Sequence, residues 1–188
     1  MKRALFVFIV TFFSVAALHA QEHGTVTRPL PPAPKWFTYT SAEGRYSVAV
    51  SEQPNLSSQN ITAASGDNLI QYMASASVGA GLVMVGYFDY PNNVVFSLDE
   101  ARNGMIRSLQ GTLINEESIS LGGSPGRAIK IAAKTETGVD FMDRARFYDV
   151  NRRIYVLQCL FPKANDGDSA AQTCDQFFDS FRVKSSLN

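Results

Sequence analysis

The side chains able to move protons or bind metals are few in this 188-residue chain: His19 and His23, Cys159 and Cys174, and 17 carboxylates. Histidine is the side chain that titrates near neutrality without a perturbed environment. His19 falls within an N-terminal stretch that reads as a leader, so His23 is the one imidazole left to the exported chain. Gly122-Gly123-Ser124-Pro125-Gly126 matches the letters of a nucleophile elbow. Such an elbow needs a strand that turns into a helix and a histidine later in the chain to take the serine proton. Here Arg127, Ile129 and Ile131 alternate with Ala128, Lys130 and Ala132, the pattern of a strand, and no histidine follows Ser124. The segment therefore reads as a tight turn between strands. Gly79-Ala80-Gly81 lacks the third glycine of a dinucleotide loop and also leads into a strand. Zinc lacks its preferred nitrogen and sulfur ligands, so neither a metal, a cofactor nor a catalytic set is expected. The carboxylate pairs Asp99/Glu100, Glu116/Glu117, Asp140/Asp143 and Asp175/Asp179 leave a carboxylate-pair hydrolase open as an alternative, although solvated charge accounts for each pair.

The cysteines fit a structural role better than a reactive one. Cys159 shares a strand face with Tyr155, Leu157 and Phe161, and Cys174 lies on an apolar helical stripe. An even count in an exported chain predicts a Cys159–Cys174 disulfide, which loop entropy values at about 3 kcal/mol. A redox pair is the alternative, but the spacing is far from C-x-x-C and no neighbouring residue supplies a cationic activator.

Basic residues suggest a binding surface. Arg144 and Arg146 share a strand face with Tyr148, and Arg127, Lys130, Lys134, Arg152 and Arg153 lie on adjacent segments. Gathered by a hairpin, Arg144, Arg146, Tyr148 and Lys130 would grip a carboxylate, a phosphate or an acidic protein patch through guanidinium forks. A polar sheet face balanced by Asp140, Asp143 and Asp149 is the other reading.

The elements that must position these groups begin after an address. Lys2 and Arg3 precede the apolar run Ala4 to Leu18, which ends in Leu18-His19-Ala20. This reads as a signal peptide over residues 1–20, cut after Ala20 or near Val15-Ala16-Ala17, with an uncleaved anchor as the alternative. Export to the periplasm or the medium is expected. Loss of the leader removes Lys2 and Arg3 and leaves a net charge of −2, so nucleic acid is not an expected partner. No later run reaches the length of a membrane span. Residues 21–35 carry Pro29, Pro31, Pro32 and Pro34 and read as an extended linker or a PxxP ligand.

Residues 36–188 form a single predicted domain. Period-two alternation predicts strands at Tyr46–Val50, Leu69–Ala76, Leu82–Tyr90, Thr112–Leu121, Gly126–Lys134, Val139–Val150 and Arg153–Phe161, joined by short glycine and asparagine turns. Ser97-Leu98-Asp99-Glu100 is a capping box, followed by Leu98, Ala101, Met105, Ile106 and Leu109 at helical spacing. A second helix starts near Asp168 as its cap and aligns Ala170, Cys174, Phe177, Phe178 and Phe181. An α+β domain follows, an antiparallel sheet flanked by helices in two or three layers of α/β/α type.

Glu43-Gly44-Arg45-Tyr46-Ser47-Val48, Gly122-Gly123-Ser124-Pro125-Gly126-Arg127, Arg146-Phe147-Tyr148, Arg153-Ile154-Tyr155-Val156-Leu157 and Phe177-Phe178-Asp179-Ser180-Phe181 together resemble bacterial exported domains of the Mog1/PsbP-like type. Ser51 departs from the proline that this pattern places after the opening strand. The resemblance spans residues 36–184. It implies an antiparallel sheet between helices, and a record of binding other proteins, a photosystem and a small GTPase among them, in place of catalysis. The expected function is a noncatalytic exported binding or assembly-accessory domain with an unidentified protein partner. The alternative is a carrier of a small apolar ligand, held by Tyr46, Tyr72, Tyr87, Tyr90, Phe88 and Met84.

Overall fold

A computed structural model describes residues 35–62, 68–92 and 94–184. The expected signal peptide over residues 1–20 and the Pro-rich stretch up to residue 34 lie outside the described residues. The elements run β1 (Phe37–Ser41), β2 (Tyr46–Val50), β3 (Asn55–Thr62), β4 (Asn68–Val78), β5 (Gly81–Asp89), α1 (Leu98–Ser108), β6 (Thr112–Leu121), β7 (Ser124–Lys134), β8 (Asp140–Val150), β9 (Arg153–Pro162), α2 (Asp168–Ser180) and β10 (Arg182–Val183).

Seven strands form one sheet in the order β3-β4-β5-β9-β8-β7-β6, and β1-β2-β10 form a second. Every neighbouring pair is antiparallel. The large sheet puts β9 at its centre, and period-two alternation splits that strand between two cores. Ile154 and Val156 enter one core with Ile129, Ile131, Phe141, Phe147 and the α1 residues Ala101 and Met105. Tyr155, Leu157, Cys159 and Phe161 enter the other, with Tyr46 and Val48 of β2 and Ala170, Cys174, Phe177 and Phe178 of α2. Burying one such side chain contributes about 1.5–3 kcal/mol, so a strand buried on both faces anchors the domain.

Antiparallel sheets thus dominate and two helices accompany them, as the α+β expectation requires. The core on the α2 side differs from a helix-covered face, because the small sheet covers part of it through Tyr46, Val48 and Val50.

The first helix starts where the capping box places it. Ser97 is extended, with φ −121 and ψ 119, and its hydroxyl oxygen accepts the Glu100 N–H at 3.3 Å. Ser97→Ala should lower stability by about 1 kcal/mol in urea unfolding, because one amide of the first turn loses its acceptor; an unchanged midpoint would remove the cap's role.

At the second helix the sequence expectation needs correction. Gly167 is the cap residue, without a side-chain bond, and Asp168 is the first helical residue. Its carboxylate still sits in the first turn, where the helix dipole favours a negative charge. Phe181 lies just past the helix in extended conformation, yet only 1% of its surface is exposed. Strands β1, β3 and β10 have no counterpart in the sequence expectation. β3 reads Asn-Leu-Ser-Ser-Gln-Asn-Ile-Thr and lacks an alternating apolar face; its order comes from full-length pairing with β4.

Candidate functional site: a cationic cleft and an open sheet edge

Strand parity divides the predicted basic cluster among three places. Lys130, Arg144, Arg146 and Tyr148 share the α2 side of the sheet. Tyr148 is buried there and stacks on Phe181, with ring centroids 6.3 Å apart. Lys130 Nζ lies 2.8 Å from one Asp166 oxygen and Arg144 Nη1 2.5 Å from the other. Arg146 Nη1 meets Asp179 at 3.1 Å, and its guanidinium lies over the Phe178 ring. This group therefore fastens α2 and its entry turn to the sheet. Arg127 faces the α1 side, where it and Arg102 hold Asp99 and Glu116 between them.

The counter-ions differ from those expected. Lys134 meets Asp140 at 3.4 Å, but Asp143 accepts from Gln158 and Asp149 from Tyr90, so neither balances the cluster. Asp166 and Asp179 take that role. Cys159 and Cys174 form the disulfide, with Cα atoms 5.6 Å apart. One cation comes near the bridge, which the sequence reading did not anticipate: Arg144 Nη1 lies 4.0 Å from the Cys174 sulfur. Both cysteines are nevertheless 0% exposed, which denies access to an attacking thiol.

The remaining arginines meet at one end of the sheet. Asn151 and Arg152 form a two-residue turn between β8 and β9, with φ of 50 and 66, as the tight hairpin connection demands. Beside it lie the Gly122-Gly123 turn between β6 and β7, the end of β5, the turn before β2 and the short β10. They enclose an open cleft of about 850 Å3, lined by Arg45, Arg152, Arg153, Arg182 and Lys184 with one carboxylate, Asp89.

Asp89 belongs to Arg153. The guanidinium donates from Nε and Nη2 to the two carboxylate oxygens at 2.6 and 2.7 Å and from Nη1 to the Glu43 carbonyl at 2.6 Å. That fork holds the Asp89 carboxyl below the usual carboxylate range. Arg152 lies over the Tyr90 ring, 4.6 Å from its centroid, and donates to the Pro91 carbonyl and, at 3.3 Å, to that of Tyr90. The Tyr90 hydroxyl donates to Asp149 at 2.9 Å, and burial together with this bond pushes it up to about 12. Arg182 Nη1 donates to the Asp179 and Phe181 carbonyls at 2.6 and 2.8 Å, at the C-terminal end of α2.

Among the described residues Arg45, Arg152, Arg182 and Lys184 have no carboxylate within 4.0 Å, whereas every basic residue of β7 and β8 has one. Arg45 and Arg152 also hold positive φ, 53 and 66. An arginine there costs of order 1 kcal/mol relative to glycine. The sequence reading placed Arg152 and Arg153 beside the strand cluster and passed over Arg45, Arg182 and Lys184. Arg45 sits in the turn before β2, and no local pattern marks Arg182 or Lys184.

A second surface lies at the opposite edge strand. β3 carries no charged residue and no proline, whereas the far edge β6 carries Glu116 and Glu117 and a register shift between Leu113 and Asn115. Charges and bulges are the devices that keep exposed edges from pairing. Leu56 on β3 is 62% exposed, and Ile70 and Tyr72 on the same face of β4 are 49% and 39% exposed. A groove of about 300 Å3 beside them gathers Tyr39, Tyr46, Tyr72 and Tyr87, with Tyr72 stacked on Tyr87 at 5.2 Å. Three of the aromatic residues proposed for a ligand carrier thus converge, while Phe88 and Tyr90 pack with Phe96 elsewhere.

No family model matches the chain, and no curated protein matches it in sequence. Among solved structures it is similar to cyanobacterial PsbP (CyanoP) from Synechocystis sp. PCC 6803, with a TM-score of 0.57 at 11% identity, covering 85% of this chain and 98% of that one. It is also similar to a protein of unknown function from Pseudomonas aeruginosa, at TM-score 0.44 and 14% identity over 75% of this chain and 94% of that one. A Bacteroides thetaiotaomicron protein gives TM-score 0.46 and 12% identity over 80% of this chain and 49% of that one. With its described antiparallel sheets matched over nearly the full length of the cyanobacterial chain, this protein has the PsbP-like fold that its strand and turn motifs resemble.

Proposed function

We propose that the chain is a noncatalytic exported accessory domain that recognises a protein partner along β3. One observation carries this reading: an edge strand without charge, proline or bulge, bordered by the exposed Leu56, Ile70 and Tyr72. A partner strand added to β3 would extend the sheet through backbone hydrogen bonds and cover the apolar strip, the division of labour between affinity and specificity seen in strand addition. The disulfide fits an oxidising compartment outside the cytoplasm.

A lysine at Leu56 places a charge on the edge at little cost to an exposed position. Affinity capture and crosslinking from the native envelope should recover a discrete partner with the wild-type chain and lose it with Leu56→Lys and with Tyr72→Ser. A partner retained by both variants would refute docking along β3.

The convergence of Tyr39, Tyr46, Tyr72 and Tyr87 favours a second reading, the groove as a seat for a small apolar ligand. Native mass spectrometry separates the two, because a carrier retains a discrete small mass that Tyr72→Ser releases.

A further inference from the structure

The cleft at the hairpin end shares no lining residue with the β3 groove, so its role stands or falls independently of the β3 reading. From its geometry we infer that the cleft is a docking site for an acidic peptide segment of another protein.

Charge is the first ground. Five cations and one carboxylate line the cleft, and Arg153 already engages that carboxylate through both oxygens. Outside the lining, Asp149 accepts from the Tyr90 hydroxyl, and Glu43 and Asp179 meet Arg153 and Arg182 through their backbone carbonyls. Arg45 and Lys184 are exposed there, and their side-chain nitrogens have neither an ion pair nor a hydrogen bond among the described residues. Elsewhere the basic residues of β7 and β8 are paired, and the other described cations without a carboxylate within 4.0 Å, Lys35, Arg107 and Lys163, lie outside the cleft, so the cleft is where such cations converge.

Backbone conformation is the second. Three of the four described non-glycine residues with positive φ, Arg45, Asn151 and Arg152, border this one cleft. Left-handed positions favour glycine or asparagine. The hairpin turn sets that conformation at Asn151 and Arg152, and the presence of arginine in place of glycine at positions 45 and 152 puts two guanidinium groups at the rim.

Shape selects the ligand. The cations arrive on three separate segments: the turn before β2, the β8–β9 turn and β10. A single phosphate is usually met by a nest of backbone amides or a helix N-terminus, whereas here the donors are side chains spread around an open cleft. Tyr90, Leu121, Val150 and Val183 form apolar wall between them. Among the described strands β10 pairs with β2 alone and stands at the edge of its sheet, beside the cleft. Spaced charges, apolar wall and an edge strand fit alternating acidic and apolar side chains on one extended segment.

The test uses the purified full-length chain, a labelled glutamate-rich peptide and its glutamine counterpart, read by fluorescence anisotropy. The glutamate peptide should bind, the glutamine peptide should not, and rising ionic strength should weaken the complex. Arg45→Gly and Lys184→Gln should each weaken binding by about tenfold without lowering the melting temperature, because neither side chain carries an internal bond. Arg146→Ala, whose guanidinium Asp179 already holds, should bind as the wild type does. Equal binding of the glutamine peptide, or wild-type affinity in Lys184→Gln, would overturn the inference. So would inorganic phosphate or anionic phospholipid vesicles occupying the cleft while the glutamate peptide does not. If Arg45→Gly fails to fold, Lys184→Gln alone decides.

Discussion

Replacing Cys159 and Cys174 together by alanine is expected to lower the free energy of unfolding by about 3 kcal/mol, the largest loss available without opening the central sheet. The bridge ties β9 to α2 across 15 residues, and its removal restores chain entropy to the unfolded state. α2 also holds to the sheet by Ala170, Phe177 and Phe178 in the shared core and by ion pairs at Asp166 and Asp179. The fold should therefore survive with α2 as its least protected helix. Urea unfolding with and without reductant checks the first part: reductant should destabilise the wild type by the same amount and leave the double variant unchanged. Hydrogen exchange checks the second, since amides of residues 168–180 should lose protection before those of β9. Both sulfurs are buried, so reduction of the native protein should proceed only as fast as α2 opens. Two free thiols in unreduced protein, or equal stability of the variant, would remove the bridge from the account.

What the sequence made legible was local or periodic. The capping box at Ser97 and the spacing of Ala101 and Met105 define α1 within about a dozen residues. Alternation along β9 places Tyr155, Leu157, Cys159 and Phe161 on one face before any partner strand is known. Parity also contained the division of the basic cluster, since Arg127 and Lys130 point to opposite faces of one strand. The rest depends on strand order. Arg45, Arg152 and Arg182 share a cleft because the turn before β2, the β8–β9 turn and β10 meet at one end of the assembly, and no local pattern encodes that meeting. Asp166 is illegible as a counter-ion for the same reason: it follows β9 in the chain but lies across from Lys130 and Arg144. β3 is illegible differently. A strand polar on both faces has no period to detect, and the same lack of an apolar face and of guarding charges makes its edge a candidate interface.

Substituting Asp143 by asparagine is expected to stabilise the protein above neutral pH and to do nothing for it in mild acid. Asp143 points into the α1-side core from β8, 0% exposed, between Ile131 of β7 and Leu160 of β9 in register. Gln158 Nε2 donates to Oδ2 at 2.7 Å, and Oδ1 has no hydrogen-bond partner among the described residues. Burial pushes its pKa up to about 7, against a smaller opposing effect of the Gln158 bond. An acid whose folded pKa exceeds its unfolded value keeps its proton in the folded state over the intervening pH range. Its contribution to stability is therefore most favourable below the unfolded pKa near 4, declines as pH rises from there through about 7, and is flat beyond. A shift of about three units bounds the decline at roughly 4 kcal/mol, and structural relaxation around the charge reduces it to about half. Asparagine keeps the shape and an oxygen to accept from Gln158 and carries no charge to desolvate. Urea unfolding should place Asp143→Asn about 2 kcal/mol above the wild type at about pH 8, with the gap closing by about pH 4. Other groups contribute to each curve: burial raises the Asp149 carboxyl in the same sense as Asp143, whereas Asp89, held below the ordinary carboxylate range, loses its contribution only at lower pH. Because they titrate in both proteins, the difference between the two curves isolates Asp143. A gap independent of pH would mean that the carboxyl is already neutralised by a partner or reached by water, and that its burial costs the fold nothing.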